Sequence, residues 1–344
     1  MKRLLLGLLF AFAALSASAQ TKYSIAWSHY AGWEPWAYMQ QAGILDKWAK
    51  KYNIAIELTL VNDYVESINL YTSGKFHGCA MTNMDVLTIP AVGGVDSTAL
   101  IVGDFSNGND GIVMKNGKTV KDLKGRSVKL VEFTVSHYLL ARALEMNGMT
   151  EREIKTVNTS DSDIAAVFAA DPNGVAVTWN PPLQQARNAK GATLVFDSSK
   201  IPGEIIDLMV VRTNTPDTLK KALAGAWYET MAVMTANDKA SEDAMAFMAK
   251  NSGATVPEFK AQLSTTAMFY KAADAVAFAT SPQLKKTMEY VRTFSYDKKL
   301  FGQRAKNKDF VGIAFADGSI IGDTKNVKLR FTADYMKQAA DGKL

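Results

Sequence analysis

Apolar and polar positions alternate along this chain in short blocks of two different periods. Residues 54–60 give the clearest case. Ile54, Ile56, Leu58 and Leu60 are separated by Ala55, Glu57 and Thr59, a period of two that predicts a strand with one face buried. Residues 23–27, 79–81, 128–131, 175–177, 194–197 and 208–212 are short apolar runs and are also read as strands. Between them, helical spacing covers 36–50, 63–72, 136–147 and 163–170. Residues 85–91 begin another helix, with Asp85 in its first turn. Ser73-Gly74 and Gly148 supply stop signals. Beyond residue 215 the pattern becomes mainly helical, over 216–236, 241–251, 257–268, 281–293 and 332–340. Ser281-Pro282 makes a good start for the fourth of these. Repeated strand-helix units predict an α/β fold, with parallel-rich sheets flanked by helices.

Two stretches interrupt this order. Residues 103–111 are rich in Gly, Asn, Ser and Asp, a composition that reads as a crossing or hinge. Residues 201–212 bring the chain back. The expectation is a two-lobed molecule. Residues 20–104 and 212–344 form the first lobe, including the helical C-terminal part, and 105–211 form the second. Residues 1–19 read as an export signal, with a basic start at Lys2 and Arg3, an apolar run over 4–15 and a small-residue site at Ala17-Ser18-Ala19. Cleavage after Ala19 would leave a periplasmic protein. No Cys stands at that site for a lipid anchor.

Composition narrows the function. Of 344 residues, 48% are hydrophobic and 21% charged, as in ordinary globular proteins. The 39 Lys and Arg against 34 Asp and Glu are spread without runs, which gives no nucleic-acid footprint. The single Cys, Cys79, sits in an apolar stretch and reads as a buried structural thiol. Three scattered His offer no metal-site spacing, and no cofactor motif is present. A monomer is expected.

The candidate chemistry lies in five segments predicted to follow or flank strands. They are Ser28-His29-Tyr30-Ala31-Gly32-Trp33-Glu34-Pro35-Trp36, Met81-Thr82-Asn83-Met84-Asp85, Glu132-Phe133-Thr134-Val135-Ser136-His137, Thr178-Trp179-Asn180-Pro181-Pro182 and Pro202-Gly203-Glu204-Ile205-Ile206-Asp207. None contains Lys or Arg. In open α/β sheets, ligands sit beyond the carboxyl ends of strands. If these segments converge there, Tyr30, Trp33, Glu34, Trp36, Asp85, Glu132, Trp179 and Asp207 make an aromatic, acidic pocket suited to a small cation. The competing readings are structural: Trp33 or Trp36 as core, Glu34 as a helix-start charge, Asp85 as a cap, Asp207 as part of the hinge.

The motifs "TNMD" at 82–85, "TVSHYLL" at 134–140 and "VTWNPPLQQA" at 177–186, in this order behind an export signal, resemble periplasmic solute-binding proteins of ABC importers. The nearest families by resemblance are those for sulfonates, taurine, nitrate and thiamine precursors. "HYAGWEPW" with "VTWNPP" is most similar to the branch associated with urea carboxylase operons. That resemblance implies a two-lobed fold closing on its ligand, a membrane permease as partner, and urea or guanidine as substrate. Anion-binding relatives would be expected to use Lys, Arg or helix N-termini. The five segments supply no basic side chain, so a guanidinium ion is favoured over urea, sulfonates, taurine, nitrate or a thiamine pyrimidine precursor. A periplasmic hydrolase is the second class. It has weaker support, because no nucleophile or phosphate-loop motif occurs.

Overall fold

A computed structural model describes residues 20–344; the expected export signal lies outside them. The strands, in chain order, are β1 (Thr21–Trp27), β2 (Ile54–Leu60), β3 (Gly78–Thr82), β4 (Ser97–Ser106), β5 (Asp110–Lys115), β6 (Ser127–Leu130) and β7 (Lys155–Asn158). They continue with β8 (Val175–Trp179), β9 (Ala192–Asp197), β10 (Ile206–Arg212), β11 (Thr266–Met268), β12 (Gly312–Ala314), β13 (Ile320–Ile321) and β14 (Val327–Phe331). They form two sheets. The larger runs β13-β12-β14-β4-β10-β3-β1-β2, with β11 on β4, and the smaller runs β7-β6-β8-β5-β9. β1 pairs in parallel with β2 and β3, and β6 with β7 and β8. β10 runs antiparallel between β3 and β4, and β5 antiparallel between β8 and β9. The fold is α/β with parallel-rich sheets, as the pattern predicts.

Burial explains which strands were legible. β3 and β8 are central and buried at every position, so they read as unbroken apolar runs. β2 sits at the sheet edge and shows the period of two. Helix starts also follow local chemistry. The Asp63 side chain accepts from the Glu66 N–H at the start of Tyr64–Thr72, and Ser281 caps Pro282–Asp297 by accepting from the Leu284 N–H.

Several expectations need correcting. The helix expected over 36–50 is two helices, Glu34–Gln41 and Ile44–Lys51. Gly43 between them takes φ +73°, a left-handed conformation that ends the first helix. The helix expected over 85–91 is a short turn of helix, Asn83–Val86, followed by a wider π-helical turn over Leu87–Ala91 that contains Pro90. The segment expected over 257–268 ends as a helix at Ser264, and 266–268 joins the sheet as β11. Most important for the site, β4 extends through Ser106. Gly103 and Asp104 are therefore sheet residues, and the chain crosses to the small sheet only over residues 107–109. No helix among the described residues is long and apolar enough to cross a membrane.

Candidate functional site

The ends of both sheets meet around a small cavity with about 250 Å³ of empty space. Ring faces make much of its wall. Tyr30 and Trp33 come from the loop after β1, Tyr64 from the first turn of its helix, and Trp179 from the last position of β8. The rings follow one another edge to face or tilted. Centroid separations are 5.1 Å for Tyr30–Trp33, 5.6 Å for Trp33–Tyr64 and 5.4 Å for Tyr64–Trp179. Trp179 also donates from Nε1 to the His29 carbonyl at 3.3 Å, tying the small sheet to the loop after β1.

Two carboxylates face this cavity, Asp110 at the start of β5 and Asp207 near the start of β10. The crossing strands place both. The Asp110 N–H donates to Ser106 Oγ at 3.0 Å, and Ser106 Oγ lies 2.7 Å from Ser198 Oγ on the return crossing. Asn109 Oδ1 accepts from the Asn180 N–H at 3.1 Å. Asp110 is the direct cross-strand partner of Trp179, and Asp207 of Asp104. Directly opposed residues present side chains on the same face.

Behind the wall stand two further buried acids. Asp104 accepts from the Tyr30 hydroxyl at 2.8 Å. Asp85 Oδ2 accepts from the Tyr64 hydroxyl at 2.7 Å and from Thr82 Oγ1 at 2.8 Å. Asp104 Oδ2, Asp207 Oδ2 and Asp85 Oδ1 are buried without partners, as is Trp33 Nε1. Desolvation lifts all four carboxyls above the ordinary range. Asp85 is pushed up to about 6, with the Tyr64 and Thr82 hydroxyls opposing the rise. Asp110 is pushed up to about 7, with Ser106 opposing and the charge of Asp85 adding. Asp104 and Asp207 are raised by burial, and Asp207 further by the neighbouring charge of Asp104. No Lys, Arg or His forms an ion pair with any of the four among the described residues. Buried acids without counter-charge are costly, and such sites are candidates for function.

The eight candidates separate. Tyr30, Trp33, Trp179 and Asp207 line the cavity. Asp85 lies one layer behind, reached through Tyr64 and Thr82. Trp36 stands away from the lining and stacks on Trp227 in the core at 4.9 Å. Glu34 is fully buried but faces other partners: its Oε1 lies 2.7 Å from His29 Nδ1, and its Oε2 accepts from Asn251 Nδ2 at 2.7 Å. Glu132 lines a separate open hollow beside Asp63, Glu66 and Asp161. Glu204 is neutralised by a basic group from outside the five segments, since Arg142 Nε donates to its Oε2 at 2.9 Å. The sequence reading placed Thr82 in a candidate segment without naming it as a contact, and missed Tyr64, Asp104 and Asp110. The last two lay inside the stretch whose composition reads as a hinge. The only available signal was a pair of acids beside apolar β-forming residues.

A family model described as NMT1/THI5 like matches residues 48–246. No curated protein matches the sequence significantly. Among solved structures, the alkanesulfonate-binding protein SsuA from Xanthomonas axonopodis pv. citri, bound to MOPS, superposes with a TM-score of 0.67 at 14% identity, covering 84% of this chain and 97% of that one. The periplasmic aliphatic sulphonate binding protein SsuA from Escherichia coli gives 0.67 at 16% identity, covering 83% and 96%. The desulfurization enzyme DSZB gives 0.55 at 14% identity, covering 81% and 93%. At these identities the likeness shows the fold, that of periplasmic binding proteins. The family match spans more than half of the sequence, and the chain belongs to the NMT1/THI5-like family.

Proposed function

We propose that this protein is the substrate-binding component of an ABC importer and captures guanidinium. The observation that carries the reading is the cavity itself. Four rings and two buried carboxylates line it, and no basic side chain does. Guanidinium is planar, weakly hydrated on its faces and permanently charged, so rings and carboxylates suit it together. Each charge-assisted hydrogen bond contributes about 1.5–3 kcal/mol. A desolvated ring contact adds up to roughly 2 kcal/mol. The open acceptor on Asp207 calls for an N–H donor, which a quaternary ammonium ion lacks. The cavity is small and closely walled by the four rings, which favours a ligand of few heavy atoms. The export pattern and the binding-protein fold support the importer role, with a membrane permease as partner.

A sulfonate, the ligand class for which the SsuA proteins are named, would face Asp110 and Asp207 without a cationic donor. Neutral urea has one feature in its favour: its carbonyl could accept from Trp33 Nε1, which is buried without a partner among the described residues. Hydrolysis has less support. The lining holds no Ser, His or Cys among the described residues, and burial pushes the Cys79 thiol up to about 12.

Calorimetry on the mature protein tests the reading. Guanidinium should bind at least tenfold more tightly than urea, about 1.4 kcal/mol. Taurine, nitrate and sulfate should give no heat. Asp207→Asn and Trp33→Ala should each weaken guanidinium at least tenfold. Tight binding of a sulfonate, or equal affinities for urea and guanidinium, overturns the choice of ligand.

A further inference from the structure

Asp104 does not line the cavity, yet its setting is built for a purpose that packing does not explain. It stands directly opposite Asp207 across the β4–β10 pair, so both carboxyls rise on one face of the sheet. One oxygen of Asp104 takes the Tyr30 hydroxyl. The other is buried with no donor from elsewhere among the described residues, as is Oδ2 of Asp207, and the two carboxyls lie within hydrogen-bond reach of each other. Gly32 makes room for this arrangement. A Cβ at that position would fall 2.4 Å from Asp104 Oδ2 and 2.6 Å from the Tyr30 ring. The groups acting on the pair from neighbouring elements are Tyr30 from the loop after β1, Asp110 from β5 and Tyr270 from the segment after β11. None is a base that could neutralise a second negative charge. Two desolvated carboxyls in this position cannot both ionise cheaply, so they titrate as a pair.

We infer that Asp104 and Asp207 share one proton while the cavity is empty, and that an arriving monocation displaces it. The inference rests on the cation reading of the site and makes Asp104 a positioning residue. The cation takes its place against Asp207, the shared proton leaves to solvent, and net charge in the cavity is conserved. Exchange has a consequence for selectivity. An anion or a neutral molecule cannot drive the proton out, so each would meet a pair that keeps its proton between the two carboxyls and retains one negative charge. Asp104 thus acts on binding through charge, without touching the ligand.

Proton release measures this directly. Guanidinium remains protonated at pH 8.5, and Asp110, pushed up only to about 7, is already ionised there. Calorimetric titrations with guanidinium chloride at pH 8.5, in buffers of small and large ionisation heat, should report close to one proton released per ion bound. Asp104→Asn should bring the release near zero and flatten the rise of affinity between pH 7.5 and 9, while the variant still binds. Binding by the unaltered protein without release overturns the exchange and leaves the cation reading intact, and this holds even if Asp104→Asn does not fold. Equal release by both proteins also overturns it. Absence of any guanidinium binding sinks both readings together.

Discussion

Asp110 shows how one buried residue ties stability to pH. It is fully buried at a strand start, and desolvation lifts its carboxyl from near 4 to about 7. Asp85 follows, at about 6. Between pH 4 and 7 the folded protein therefore holds protons that the unfolded chain has released. The sign is opposite to that of an ion-paired acid such as Glu151, whose partners His137 and Lys298 hold it down at about 2. Stability from a raised acid is complete below the unfolded value and is lost as pH climbs through the folded one. The separation is worth roughly 1.4 kcal/mol per pH unit, so about 4 kcal/mol for Asp110. Thermal melts of the ligand-free protein should give a higher Tm at pH 5 than at pH 8, and saturating guanidinium should shrink the gap. A higher Tm at pH 8 without ligand would contradict the account of these acids as buried and uncompensated.

At the scale of elements, position within a strand or loop decides what a carboxylate does. Glu34 opens its helix and is as buried as Asp207, but both of its oxygens are engaged, by His29 and Asn251. Its loss breaks both hydrogen bonds and leaves a buried site unfilled, at a cost of about 1–3 kcal/mol. Glu34→Ala should lower Tm by several degrees while guanidinium affinity of the folded protein stays within about threefold. An unchanged Tm with lost binding would instead place Glu34 at the ligand. The β4–β10 pair shows the converse. Composition marks 103–111 as hinge, yet the sheet claims Gly103 to Ser106. Cross-strand hydrogen bonding overrides the weak local preference of Gly and Asp for turns. That override hides Asp104 and Asp110 from a sequence reading.

At the scale of the whole molecule, the cavity draws walls from both sheets, joined by crossings at residues 107–109 and between β9 and β10. Such a layout suits closure by rotation about the crossings. Small-angle scattering of the mature protein should show a smaller radius of gyration with saturating guanidinium than without it. An identical radius in both states would mean that the ligand enters without lobe movement.

The division between sequence and structure follows from the range of the forces involved. Local signals were sufficient for the α/β class, for the strands Ile54–Leu60 and Gly78–Thr82, and for the capped start at Ser281, because burial period and capping act within a few residues. The aromatic and acidic character of the site was also legible, since Tyr30, Trp33, Trp179 and Asp207 fall in loops or strand ends free of basic residues. Sequence alone could not separate these from Trp36, Glu34 and Glu132, which have the same residue types in the same loops. What separates them is where the folded chain puts them and which partners arrive from far along it: Trp227 beneath Trp36, Asn251 beside Glu34, and a separate hollow beside Asp161 for Glu132. Only the folded sheets bring Asp104 beside Asp207 and Asp110 beside Trp179, because strand register is set by long-range pairing and not by neighbours in sequence.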